Sequence, residues 1–319
     1  MKYLLLALIC CFQHTIAQQK TNPKNQDEEL GKVAWYRDFE VATNISEKEN
    51  KPVFILFQEV PGCSTCRNYG HHVMSNPLLV EAIENEFIPL AIFNNKGGKD
   101  KVILKKYNEP TWNNPVVRIV DHSGKNLTKR ISGDYSALAV YKAIVEVLEN
   151  NQKEIPKYLQ LLGEELQGAT KPKETYYSMY CFWSGEKQLG SQAGVLDTQA
   201  GFMNGKEVVK VTYNPAILED TSLTSFAKLH KMAPINKDNS YRPAHRDEDY
   251  YLQHSRFKYL PLSTLQRTKI NSALGNRNDA TKYLSPKQTR WLKNINSIGK
   301  DIRFHKEFGV AWSEAIAKE

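Results

Sequence analysis

Cys63-Ser64-Thr65-Cys66 and, much further along, Cys181-Phe182-Trp183 are the stretches of this sequence whose residue types could do chemistry. Two cysteines three positions apart, where a strand runs into a helix, bring both sulfurs within bonding reach. The helix N-terminus favours a thiolate on the first of them. Such a pair performs thiol–disulfide exchange, holds half of a zinc or copper site, or closes an inert disulfide. Zinc needs two further ligands, which His71 and His72 supply only awkwardly, and no second cysteine pair exists. Exchange is the reading these residues favour. A lone cysteine beside Phe and Trp, such as Cys181, is either core packing or a nucleophile next to an apolar pocket.

The elements that must position these cysteines alternate. Pro52-Val53-Phe54-Ile55-Leu56-Phe57 is a continuous apolar run, as a strand buried on both faces requires, and it leads through Pro61-Gly62 into the first pair. Asn76-Pro77 opens a helix with Leu78, Leu79, Ala82 and Ile83 on one face. Residues 87–93 form a second buried strand, and 116–120, entered through Asn114-Pro115, a third. The turn 121–124 and the run 127–131 make a hairpin, and an amphipathic helix from Tyr135 to Leu148 closes the unit. A polar helical stretch from Asn150 to about Lys173 leads to the second half. There Met179–Phe182 and 208–213 read as strands, and beyond Leu218 the pattern is mostly helical. The fold class expected is α/β together with α+β.

A chain of 319 residues at roughly 100–200 residues per domain suggests two domains. With 41% hydrophobic and 24% charged residues it can bury a core, which excludes a disordered tail, a collagen-like fibre and a multi-span membrane protein. Lys and Arg (43) outnumber Asp and Glu (35), for a net charge of +8, but they are scattered, so no nucleic-acid partner is expected. Lys2, the apolar stretch from Tyr3 to Ile9 and Thr15-Ile16-Ala17 read as an export signal over residues 1–17, which contains Cys10 and Cys11. A bilayer-spanning helix needs about 20 apolar residues, so no membrane span is expected. The protein is then periplasmic or secreted, and keeps Cys63, Cys66 and Cys181 where disulfides can form.

The order strand, two-cysteine turn, helix, strand, and later Pro115 opening a strand resembles the thioredoxin superfamily over about Ala34 to Glu149, a domain of residues 33–150. Pro115 stands where that superfamily carries a cis-proline beside its disulfide, which implies a substrate-binding role. Val60-Pro61-Gly62-Cys63 is similar to thioredoxin-like proteins whose first cysteine is sometimes selenocysteine. In the second half, Tyr180-Cys181-Phe182-Trp183-Ser184-Gly185-Glu186 resembles the Gly-Cys-Phe-Trp-Gly-x-Glu signature of A-type peptide methionine-sulfoxide reductases. The likeness continues, in the family's order, through Ala193-Gly194-Val195, Thr198 to Phe202, Gly205 to Val211 and Tyr213-Asn214-Pro215. It implies a second domain over 174–319 with a ferredoxin-like core, joined by a linker over 151–173.

That resemblance implies roles. Cys181 attacks the sulfoxide sulfur, Phe182 and Trp183 wall the pocket for the S-methyl group, and Glu207 protonates the departing oxygen from a carboxyl kept neutral by partial burial. Glu186 takes a supporting role. This chain departs from the family in Tyr180 replacing the first glycine and in a shortened interval between Cys181 and Glu207, which lacks the Asn-Pro-Thr-Tyr segment and its oxygen-holding tyrosine. The Gln-Tyr-Arg-Ser segment has no counterpart either; Asp249, Tyr250 and Tyr251 lie near its expected place, and His230 near that of His-Asp-Pro.

Together the halves imply an exported peptide-methionine (S)-S-oxide reductase acting on methionine-sulfoxide-containing proteins or peptides. Its sulfenic acid at Cys181 is resolved by Cys63 or Cys66, and the pair is re-reduced by an external thiol donor, with no cofactor and no metal. One alternative is a thiol–disulfide oxidoreductase working through Cys63 and Cys66, its second half only binding peptide. Another is a non-catalytic module in which Cys181 is buried.

Overall fold

The computed structural model describes residues 20–113, 115–168 and 171–319. The expected export segment, with Cys10 and Cys11, lies outside the described residues, as does Asn114. Asp38 starts helix α1 (Phe39–Glu49) by accepting the Val41 N–H. Strand β1 (Val53–Gln58) follows, buried along its whole length, and then α2 (Ser64–His72), α3 (Pro77–Glu86, capped by Asn76) and β2 (Ile88–Phe93). Helix α4 (Gly98–Lys106), strands β3 (Val116–Val120) and β4 (Ile131–Ser132) and helix α5 (Ala137–Asn150) complete the first half.

The strands form one sheet in the order β2-β1-β3-β4, with β1 parallel to β2 and antiparallel to β3. The two-residue period of β1 explains its unbroken apolar run. Phe54 and Leu56 enter a core shared with α3 and α5, while Val53, Ile55 and Phe57 pack on the side of α1 and α4. The expected hairpin pairs only at Val120–Asn126 and at β4. The intervening loop is tied by side chains instead, with Arg118 and Arg130 both bonding the buried Glu109.

Helix α6 (Lys157–Gly168) falls in the stretch expected to connect the halves. Its Tyr158, Leu159 and Leu162 belong to the first core, and Glu165 accepts the Leu265 N–H at 2.7 Å. After it come β5 (Lys173–Met179), α7 (Phe182–Leu189), β6 (Val195–Met203), β7 (Lys206–Tyr213) and α8 (Asp220–Leu229). The short strands β8 (Ala233–Ile235) and β9 (Arg242–Pro243) and helices α9 (Tyr250–Gln253), α10 (Thr264–Gly275), α11 (Pro286–Lys293) and α12 (Phe308–Lys318) end the chain. The second sheet runs β8-β5-β7-β6-β9, antiparallel throughout. The strand expected at Met179–Phe182 instead stops at Met179, because Phe182 already opens α7.

The mixture of a helix-covered, partly parallel sheet and an antiparallel sheet with segregated helices is the α/β and α+β class expected, with a thioredoxin-like first half. Among the described residues no helix is long and apolar enough to cross a membrane.

Candidate active sites

The first site is built at the C-terminal end of β1. Asn95 clamps the turn there, accepting the Val60 N–H and donating to the Pro61 carbonyl. Gly62 is required by close approach: a Cβ would lie 2.4 Å from the Glu59 carbonyl oxygen and 2.7 Å from the Cys66 Cβ. Its N–H donates to Glu29 at 2.7 Å and its carbonyl accepts from Arg67. Cys63 is the N-cap of α2, exposed, and Cys66 lies one turn in with 0% exposure.

The two sulfurs are 3.7 Å apart, the Cys63 thiol directed at the Cys66 sulfur. The Cys66 backbone N–H, followed by the Cys66 thiol and Thr65, holds the Cys63 pKa below the ordinary cysteine value. Burial, reinforced by the neighbouring Cys63, pushes Cys66 up to about 11. Of the two, the exposed Cys63 sulfur is therefore the readier thiolate and the buried Cys66 sulfur the weaker acid.

Glu59 joins this pair, its carboxylate and both sulfurs lying within 4.8 Å of one another, a set that could hold a metal ion. His71 and His72 are not in that set; they sit in the last turn of α2, against each other. Pro115 is buried and directly precedes β3; the peptide bond before it involves Asn114, outside the described residues.

The second site is built around α7. Cys181 is its N-cap, a free thiol of intermediate burial. The Phe182 N–H, one of the helix's open donors, bonds to Glu207 on β7 at 2.8 Å, which brings that carboxyl to the residue next to Cys181. At the other end, α10 closes the helix. Ser272 and Asn276 donate to the Lys187 carbonyl, and the buried Lys269 ammonium to those of Gly190 and Gln192. Glu186, 0% exposed, accepts the N–H groups of Ala200 and Asp249 and so pins α7 to β6 and to the start of α9. Burial raises the pKa of both Glu186 and Asp249, although Arg267 reaches Asp249 at 2.8 Å.

The aromatic residues divide. Phe182, 5% exposed, packs in the core of this half against Phe202. Trp183 stacks on Tyr250 at 4.1 Å between ring centroids. Burial, and then the neighbouring Cys181, raise the pKa of the Tyr251 phenol. The cavity at Cys181, about 360 Å³, lies elsewhere, against Met179, Tyr180, Ser184, His230, Lys231 and Met232. Its lining includes neither Phe182, Trp183 nor any residue of the first half. Sequence reasoning missed Asn95, Glu29 and Glu59 at the first site and Met179, Met232 and Lys231 at the second. Asn95, Glu29, Met232 and Lys231 are brought in by chain distant from the motifs, while Glu59 and Met179 lie beside them and carry no residue type that marks them.

A family described as thioredoxin-like matches residues 34–122. Peptide methionine sulfoxide reductase MsrA of Methanococcus maripaludis is 34% identical over 71 residues, covering 17% of this chain and 45% of that protein. The chain thus spans about half the length of this curated relative. A solved structure titled DsbH oxidoreductase aligns over 41% of this chain and 95% of its own, at 15% identity and a TM-score of 0.32. Residues 34–122 are thioredoxin-like, and the chain also carries similarity to MsrA over 71 residues.

Proposed function

We propose that this protein is an oxidoreductase that reduces methionine S-sulfoxide in exported proteins or peptides at Cys181 and recycles through Cys63 and Cys66. The observation that carries the reading is the free Cys181 thiol at the N-terminus of α7, opening on a cavity, with Glu207 bound to the next backbone N–H. The Cys181 thiolate attacks the sulfoxide sulfur and Glu207 delivers a proton to the oxygen. The oxygen leaves methionine and ends on Cys181 as a sulfenic acid, two electrons passing from cysteine to methionine sulfur. The Cys63 thiolate then attacks the Cys181 sulfur, releasing water and forming a Cys63–Cys181 disulfide. Cys66 attacks Cys63, which frees Cys181 and leaves Cys63–Cys66 for an external dithiol to reduce. The apolar start of the chain, Tyr3 to Ile9, supports a site of action outside the cytosol.

The test is single-turnover reduction of a methionine S-sulfoxide peptide by pre-reduced protein, counting thiols before and after, beside Cys181→Ser. Methionine formed by the parent and not by the variant, with loss of two thiols, supports the reading; no methionine from either sinks it. The self-sufficient geometry of the first site favours a second reading, a thiol–disulfide oxidoreductase whose second half only binds peptide. Under that reading Cys63→Ser abolishes all redox activity.

A further inference from the structure

The cavity at Cys181 has a one-sided charge. Lys187 of α7 and Lys231, with His230 beside it, line it from two different elements, and no Asp or Glu does. Glu207 is turned to the Phe182 N–H, and Glu186 lies buried on α7. The Lys187 ammonium stands 5.8 Å from the centre of the Tyr251 ring. Lys231 follows α8 with φ +61°, a left-handed position that glycine or asparagine occupies more cheaply, by about 1 kcal/mol. At the cavity rim Tyr180, 99% exposed, presents a bare aromatic face next to the nucleophile.

We infer that the Cys181 site selects substrates carrying a carboxylate next to the sulfur under attack: methionine sulfoxide flanked by Asp or Glu in a peptide. The inference rests on the reductase reading for its sulfoxide and on the cavity for its charge. Lys187 and Lys231 receive the flanking carboxylates, and Tyr180 takes the neighbouring peptide chain against its ring. Free methionine sulfoxide carries the same chemistry in its own carboxylate and is the source to be distinguished.

Full-length Cys181→Ser protein is titrated with four probes. Three are end-capped pentapeptides with central methionine sulfoxide, flanked by glycine, aspartate or lysine, and the fourth is free methionine sulfoxide. At low salt the aspartate peptide is expected to bind on the order of ten-fold tighter than the glycine peptide, and the lysine peptide weaker than both. The spread should shrink as salt is raised, because both charge contacts are open to solvent ions. Lys187→Glu with Lys231→Glu should reverse the order. Lys231→Gly, which relieves the backbone, should lose part of the preference while melting no lower than the parent. Equal binding of aspartate and lysine peptides, or an order unchanged by the double substitution, overturns the inference. Free methionine sulfoxide binding as tightly as the aspartate peptide overturns the peptide form of it. Turnover by the unsubstituted protein separates the two levels. Turnover without charge preference removes only the inference, and ordered binding without turnover removes only the reductase reading.

Discussion

The two cysteine sites start from the same device, a strand running into a helix N-terminus, and finish it differently. In the first half the helix N-cap Cys63 has a second sulfur one turn below it, on α2 itself. In the second half the N-cap Cys181 has no such partner; the position one turn in, Ser184, carries a hydroxyl. What the second site has instead is a cavity, a carboxyl bound at the helix start and buried acidic and basic side chains that fix the helix in place. A site complete in sulfur suits electron relay, and one with space and a proton source suits a substrate.

The sharpest way to break that comparison is Cys181→Ser. Sulfoxide reduction should fall on the order of 10³-fold or more, with reduction of an insulin-type disulfide unchanged. Parallel loss of both activities would show that the sites are not separate in function. Cys63→Ser should leave one methionine formed per reduced chain but stop steady-state turnover with a protein thiol donor, read by peptide chromatography. If turnover varies with protein concentration, recycling passes between chains instead of within one.

Two glycines sharpen the contrast at lower amplitude. Gly185→Ala places a Cβ 2.0 Å from the Met179 sulfur and should cost about 1–3 kcal/mol, lowering sulfoxide reduction without changing Cys63 alkylation. Gly62→Ala should do the reverse; denaturant melts and iodoacetamide kinetics read both.

The smallest effect is in pH. Cys63 should alkylate with a midpoint below the ordinary value of about 8.5, and Cys66 only as pH approaches about 11. A thiol whose folded pKa is raised contributes stability that is intact below its unfolded pKa and lost as pH climbs through the folded one. Reduced protein should therefore weaken between roughly pH 8.5 and 11, on the order of 1 kcal/mol, and Cys66→Ala should flatten that loss.

Much of the first half was legible because its strands are buried on both faces: Val53–Phe57 and Ile88–Phe93 are apolar without interruption, and no helix of that length competes. In the second half only β7 declared itself by alternation. Strand β6 carries Asp197, Thr198 and Gln199 among its apolar residues. Asn204-Gly205, both left-handed, turn β6 into β7, a hairpin signal that went unread in the sequence. Strands β8 and β9 are too short to show any period. Cys63, Cys66 and Cys181 could be found from local motif, since residue type and an adjacent strand–helix junction suffice. Charge around Cys181 could not, because Lys231 and Lys187 meet only once α8 and α7 fold against the same sheet.

Helix α6 has a consequence for how the molecule comes apart. Its Tyr158, Leu159 and Leu162 complete the first core, while its Glu165 bonds the start of α10, the helix that clamps α7. Heat or denaturant that frees α6 removes a wall from one half and a tether from the other at once. The whole chain should therefore melt in a single cooperative step, and a protease cut near residue 151 should release no lasting folded fragment.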